Sequence, residues 1–344
     1  MPIDTTETTE PDIDRRIVRL GLGVSIAFVV GVGLAWPISF IGAIFTNLLL
    51  QAPGPVPIRG IGVLLARASV AMAAVWFGAQ FLLAYPMFFL VGLTVAIFAV
   101  FRYAAKGGQM LLVVLLMIAI LLIPSLLVTS PELAGTAAFW LVANIAVAIF
   151  ISRLLFSLIP PDVGAPPAKP KKPAVSQAEA TSRAIRMTLV TAPYAVAHFF
   201  FGWDAVLTLI FIALLATALS GAASAAVGRM LLIANVAGGF VAITAYEFLV
   251  IAPNFVFMAV LVLTLVLYFA RTLMSGGPYA PYAGTALNAL LVLLGGAMVP
   301  FGGEVDDNFV GRLLDIGLAV LYIAIAFNLM ESGKETGSTV KAAG

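Results

Sequence analysis

Cysteine is absent from the 344 residues, histidine occurs once, and only 10% of the side chains are charged. The lack of cysteine excludes disulfides, thiolate metal sites and thiol nucleophiles. A single histidine cannot build a His-rich metal centre, and no His-Glu-x-x-His run occurs. No Gly-rich loop ends in Lys-Ser/Thr, so direct use of ATP has no motif to rest on. There is no coherent Ser-His-Asp grouping either, and no cofactor or metal is implied. No basic surface interleaved with aromatics points to nucleic acid. Soluble domains carry roughly 25% charged residues, which this chain cannot match. What it has instead is 62% hydrophobic residues and a mean hydropathy of +1.12. Lipid must be its solvent, and the placement of charge then matters more than the net value of +2.

Residues 1–16 form an acidic, polar tail with Asp4, Glu7, Glu10, Asp12 and Asp14. No small-residue cleavage site follows the first apolar run, so that run is expected to remain as a helix. Twelve apolar stretches can be read: 17–35, 38–52, 60–83, 87–101, 110–128, 136–158, 184–202, 205–220, 227–250, 254–272, 283–301 and 310–330. The fold class expected is an all-α integral membrane protein with about 12 transmembrane helices. They divide into a first six-helix set over 17–158 and a second over 183–331. Between them, 159–182 carries Pro160, Pro161, Pro166, Pro167, Pro170 and Pro173 among Lys169, Lys171 and Lys172, which reads as a solvated, semi-extended linker. Residues 332–344 form a C-terminal tail.

With the N-terminus cytoplasmic and every stretch spanning, all lysines and arginines except Arg67 and Arg312 fall on the cytoplasmic side. The outer loops hold Glu132, Asp204, Glu304, Asp306 and Asp307. This satisfies the positive-inside rule and puts both termini in the cytoplasm. Both halves then enter from the same side, so the repeats are parallel. Landmarks agree with a duplication. Arg19 and Arg186, Trp36 and Trp203, and Pro86 and Pro253 share one common spacing, and Gly107-Gly108 and Gly276-Gly277 match at nearly the same one.

The second stretch of each half carries the most specific pattern. The first half reads Trp36-Pro-Ile-Ser-Phe, an apolar run to Gln51, then a Pro/Gly break and Arg59-Gly60. The second reads Gly202-Trp203-Asp-Ala-Val-Leu-Thr208, an apolar run, then Ser220-Gly221 and small residues to Gly228-Arg229. This arrangement resembles the fusaric acid resistance (FUSC) and aromatic acid exporter superfamily, in its compact bacterial form without large soluble domains. Two departures stand out: Ser39-Phe40 replaces the family's usual Leu-Thr, and the linker is too short for a soluble domain. The resemblance implies an inner-membrane, proton-driven efflux transporter for small organic, especially aromatic, acids, working with a periplasmic adaptor (membrane-fusion) protein. It does not imply an enzyme. Two other classes remain open at this point: an intramembrane enzyme acting on lipid-linked substrates, and a non-transporting subunit that anchors an adaptor complex.

Candidate residues follow from polarity in apolar stretches. Arg67 lies eight residues beyond Arg59, about 12 Å deeper along a helix, where a charge costs at least about 2.5–3.5 kcal/mol. It reads as a carboxylate clamp, or as an arginine that snorkels or caps carbonyls. Asn47, Gln51 and Asn235 either line a cavity or make interhelical hydrogen bonds. Trp76 and Tyr194 either stack on substrate or pack in the core. Asp315, Glu247 and His198 are the protonatable candidates, with ion pairing of Asp315 to Arg312, interfacial exposure and buried hydrogen bonding as the respective alternatives. The stretches 38–52 and 87–101 fall below the roughly 20 residues of a straight span. The short second stretches of the two halves, 38–52 and 205–220, are where a binding site is expected, because paired short segments at matching positions mark such sites in repeat transporters. Membrane lipids are the constant partners, with the linker lysines placed to meet anionic headgroups. A homo-oligomer would have to assemble through helix faces or short loops.

Overall fold

The computed structural model describes residues 10–52, 54–161, 176–203, 208–209, 212–213, 221–298, 311, 314–315, 317–319, 321–323 and 325–326. Ten helices are continuous among them: α1 (Glu10–Gly33), α2 (Phe40–Leu50), α3 (Ile58–Leu82), α4 (Pro86–Ala105), α5 (Met110–Thr129), α6 (Pro131–Leu158), α7 (Gln177–Phe201), α8 (Gly221–Ile251), α9 (Phe255–Met274) and α10 (Ala280–Ala297). Nine of these are long and apolar enough to cross a membrane, and α2 is a shorter apolar helix. The described residues are helical or irregular, with no strand among them. The chain is a multi-pass α-helical membrane protein. Most of the stretch 205–220, the core of the linker, residues 1–9, the C-terminal tail, and Asp204, Glu304, Asp306, Asp307 and Arg312 lie outside the described residues, and the stretch 310–330 is described only in part; residues 10–16, expected as part of a polar tail, are the first turns of α1.

Helix starts lie outside several apolar stretches for chemical reasons. Ser176 accepts a hydrogen bond from the Glu179 N–H at 3.1 Å, an N-cap that starts α7 seven residues before the apolar run. Asn254 accepts from the N–H groups of Val256 and Phe257 and opens α9. Pro86 and Pro131, each at the first helical position, open α4 and α6. The fourth helix is therefore not short: α4 has 20 residues, enough for a span, which corrects the reading of 87–101. By contrast α2 has only 11 residues, about 16 Å of rise. Four residues enter or leave helices in the left-handed region at matched places. Ala35 (φ 51°) and Gly202 (φ 65°) follow α1 and α7, and Gly107 (φ 82°) and Gly276 (φ 65°) follow α4 and α9. A fifth, the β-branched Ile38 at φ 48°, is a strained position leading into α2.

The chain divides into two compact units whose members are not consecutive in sequence. The first comprises Met1–Leu65, Trp140–Pro170 and Ile233–Phe309, and the second Ala66–Phe139, Lys171–Leu232 and Val310–Gly344. In the first, α1 packs along α9 and α2, α9 along α10, and α10 along α2. Phe28 on α1, Val266 on α9 and Leu290 on α10 share this core. Small residues bring its helices close: a Cβ on Gly238 would stand 2.1 Å from the Ala286 carbonyl oxygen, and one on Gly21 2.3 Å from Leu267. Arg19, expected at the cytoplasmic end of its helix, is 1% exposed. Its guanidinium lies 4.2 Å from the Phe156 ring centre and donates to the Ile159 carbonyl at 3.1 Å, so it caps the end of α6.

In the second unit, α4 packs along α7 and α5. Its core joins Phe89, Ile97 and Phe101 of α4 to Leu121 of α5 and Val190 of α7. Large apolar side chains such as Met87, Phe88, Val91 and Val95 of α4 stay exposed, as lipid solvation requires.

Candidate functional site

Polar groups inside an apolar helix must find partners or a water-filled space. The second unit concentrates them on one face of α7. Thr188, Thr191, Tyr194 and His198 recur at intervals of three or four residues, which keeps them within an arc of about 120°. Thr188 bonds back to the Ala184 carbonyl at 2.8 Å. The Thr191 hydroxyl is buried and has no hydrogen-bond partner among the described residues. His198 is buried, with Nε2 3.3 Å from Ser125 Oγ of α5.

Around Tyr194 the stripe meets an acid. The buried Thr208 hydroxyl donates to the half-buried Asp315 carboxylate. Tyr194 lies within hydrogen-bonding reach of Thr208 and in the field of Asp315. Its ring centre is 5.3 Å from that of Tyr322, whose hydroxyl donates to the Val190 carbonyl at 2.8 Å. Trp203 follows the C-terminal end of α7, its ring centre 5.7 Å from that of Tyr194. One carboxylate therefore sits among three hydroxyl-bearing side chains beside a helix face that continues to an imidazole. Arg312, its expected ion-pair partner, lies outside the described residues. Thr191, Thr208 and Tyr322 are not singled out by the sequence reading. The signal for Thr191 is its three- and seven-residue spacing from Tyr194 and His198 in an otherwise apolar helix.

The first unit holds a different polar group. Gln51 Nε2 donates to Asn47 Oδ1, and Asn47 Nδ2 donates to Asn288 Oδ1 on α10, both at 2.9 Å. Asn47 is fully buried, so its amide ties α2 to α10. Replacing Asn47 with alanine is expected to lower stability by about 1 kcal/mol, the usual scale of an interhelical hydrogen bond in a membrane. Denaturation of the detergent-solubilised protein followed by circular dichroism would measure it. Asn235 is buried on α8 in the same unit.

Other candidates stand apart. Arg67 is exposed on α3 and has no ion pair among the described residues. Trp76, also on α3, is half-buried, edge-on to Phe77 at 4.7 Å, with its indole N–H unpartnered among the described residues. Glu247 is exposed on α8.

In sequence, the sixth apolar stretches of the two expected sets differ at a polar residue. Ala143-Asn144-Ile145-Ala146-Val147-Ala148 aligns with Leu314-Asp315-Ile316-Gly317-Leu318-Ala319, which matches Asn144 to Asp315. Asn144 is buried, donates to the Trp140 carbonyl at 2.8 Å, and sets its Oδ1 2.7 Å from where a Cβ on Gly42 of α2 would stand. Likewise, in the register that matches Trp36 to Trp203, the counterparts of the α7 stripe are Gly21, Val24, Ala27 and Gly31 of α1, none of them polar.

Residues 16–155 match the model of a family described as a protein of unknown function (DUF2955). The matched segment runs from α1 to near the end of α6. No curated protein and no solved structure matches the chain.

Proposed function

We propose that the protein is a proton-driven exporter of small organic acids in the bacterial inner membrane, a compact relative of the FUSC and aromatic acid exporter superfamily. The observation that carries this reading is the Asp315 carboxylate held by Thr208 beside the polar face of α7. Acids inside membrane segments mark proton and ion paths more often than packing. The stripe from Thr188 to His198 supplies hydroxyl and imidazole groups through which a proton or ordered water can be handed on. Glu247 and His198 serve as secondary proton sites in this scheme. Arg67 is assigned to the substrate carboxylate, since a guanidinium on a spanning helix needs an anionic partner or a wet cavity. Asn47, Gln51, Asn235 and Trp76 support the substrate path.

The scaffold we infer is two parallel six-helix repeats with cytoplasmic termini, twelve spans in all. Several facts support it. The family model covers one six-helix segment. The first helix of each half packs on the fourth helix of the other, α1 on α9 and α7 on α4. The left-handed turns also recur, at Ala35 and Gly202 and again at Gly107 and Gly276. Rocking of such halves about a shared site would give alternating access. A periplasmic adaptor completes the path outward in this scheme.

Everted membrane vesicles, acidified inside by respiration, should accumulate a labelled benzene dicarboxylate only when they contain the protein, and a protonophore should discharge it. The Arg67→Ala variant is expected to raise the half-saturating concentration at least about tenfold, the loss of one charge-assisted pair of about 1.4 kcal/mol or more. Accumulation that ignores the protonophore would reject proton coupling, and unchanged saturation in Arg67→Ala would remove Arg67 from recognition.

A further inference from the structure

The second unit contains an apolar cavity of about 260 Å³ between α3, α4 and α5. Small residues make the space: Ala74, Gly78 and Ala79 on α3, and Gly92 and Ala96 on α4. A Cβ on Gly78 would meet nothing within 4 Å. Buried Phe89, Leu93 and Ile120 close the floor together with Pro124. The sequence contains its own contrast. In the register that matches Pro86 to Pro253, each of the five small positions is larger in the second half: Val241, Ala245, Tyr246, Ala259 and Leu263. The space is particular to the first half.

Two features say what it accepts. Pro124 lies inside α5 and has no N–H, so the Ile120 carbonyl loses its helical donor, and both residues line the cavity. A carbonyl left unpaired in an apolar space is costly, and an incoming donor relieves that cost. The Phe89 ring is also on the floor, held edge-on to Phe199 at 5.0 Å, and offers an aromatic wall. Among the described residues no charged side chain lines the cavity, so an anion would be unpaired there. A dry cavity of about 150 Å³ already takes benzene, so this one has room for a fused or substituted ring. A lipid tail would fill part of the volume but would leave the Ile120 carbonyl unpaired.

We propose that this cavity is a binding site for small uncharged aromatic molecules bearing one hydrogen-bond donor, such as phenols or indoles, with the donor directed to the Ile120 carbonyl. The site goes beyond the export reading and does not depend on it, because it uses neither Asp315 nor Arg67 and takes a neutral ligand.

Equilibrium dialysis of the full chain in nanodiscs tests it with 2-naphthol and 2-methoxynaphthalene, which share a ring system but differ in the donor. The wild type should bind 2-naphthol saturably and about tenfold more tightly than the ether. Ala96→Leu, which copies the second half, should weaken both ligands at least tenfold, with thermal unfolding of the same sample verifying its fold. Pro124→Ala restores an N–H for Ile120 and should abolish the preference for 2-naphthol over the ether, whatever shift in ring affinity the two ligands share. Absence of saturable 2-naphthol binding, an unchanged affinity in folded Ala96→Leu, or an unchanged naphthol preference in Pro124→Ala would each overturn the assignment. So would a phospholipid that co-purifies with the wild type, resists displacement by 2-naphthol and is lost from Ala96→Leu.

Discussion

Asp315→Asn is expected to reduce gradient-driven accumulation at least about a hundredfold while leaving the protein folded. The carboxamide has nearly the same shape as the carboxylate and can still accept the Thr208 hydrogen bond through its oxygen. Packing around Tyr194 and Tyr322 therefore has little reason to change. What the variant loses is the ability to alternate between a charged and a neutral side chain, which coupling to a proton gradient requires. Substrate exchange at equal pH on both sides needs no net proton movement and should survive. The informative comparison is thus between accumulation under an imposed pH gradient and counterflow without one, measured on the same everted vesicles. Loss of the first with retention of the second assigns coupling to Asp315. Full accumulation in the asparagine variant would remove the carboxylate from the mechanism, and loss of both activities would mark a structural role. The sequence offers a natural reference, since Asn144 stands as an amide where residues 143–148 parallel 314–319.

The helices are legible in the sequence because an apolar run long enough to span lipid has few other interpretations. Nine such helices coincide with apolar stretches, and the differences sit at the ends. Ser176 and Pro131 extend α7 and α6 through polar residues that a hydropathy reading discards. The packing is not legible. Nothing in the order of the helices says that α1 seeks α9 or that α7 seeks α4, because that choice depends on complementary small and large residues on faces far apart in sequence. The site is half legible. Asp315, His198 and Tyr194 draw notice singly, as polar residues in apolar surroundings. Their convergence needs Thr208 and Tyr322, ordinary residues until the chain brings them together. The match of Asn144 to Asp315 is hidden because the spacing between the halves widens by a few positions from the first helices to the sixth. Asn47 and Gln51 are unusual in the sequence as polar groups, yet their amides bond to one another and to Asn288 on a distant helix.

Gly238→Ala should be among the most destabilising single changes in the chain, about 3 kcal/mol or more. The added Cβ would stand 2.1 Å from the Ala286 carbonyl oxygen, 2.9 Å from its carbon and 2.9 Å from the Ala289 Cβ. Two of those three atoms are backbone, so no rotamer change can make room, and α8 must move away from α10. Overpacking costs typically about 1–3 kcal/mol even where side chains can yield. In a membrane the loss is sharper, because close backbone approach across small residues is itself a main source of helix association. Gly78→Ala provides the control. Its Cβ meets nothing within 4 Å, and removing a mid-helix glycine relieves roughly 0.5–1 kcal/mol of backbone entropy. Stability should therefore fall in one variant and hold or rise in the other, although both are glycine-to-alanine changes in apolar helices. Denaturant titration of the two proteins in the same detergent, followed by circular dichroism, would measure the difference. Equal midpoints would mean that α8 and α10 are not in contact at Gly238. A large difference in the expected direction would place the tight seam in the first unit, where small residues bring α8 against α10.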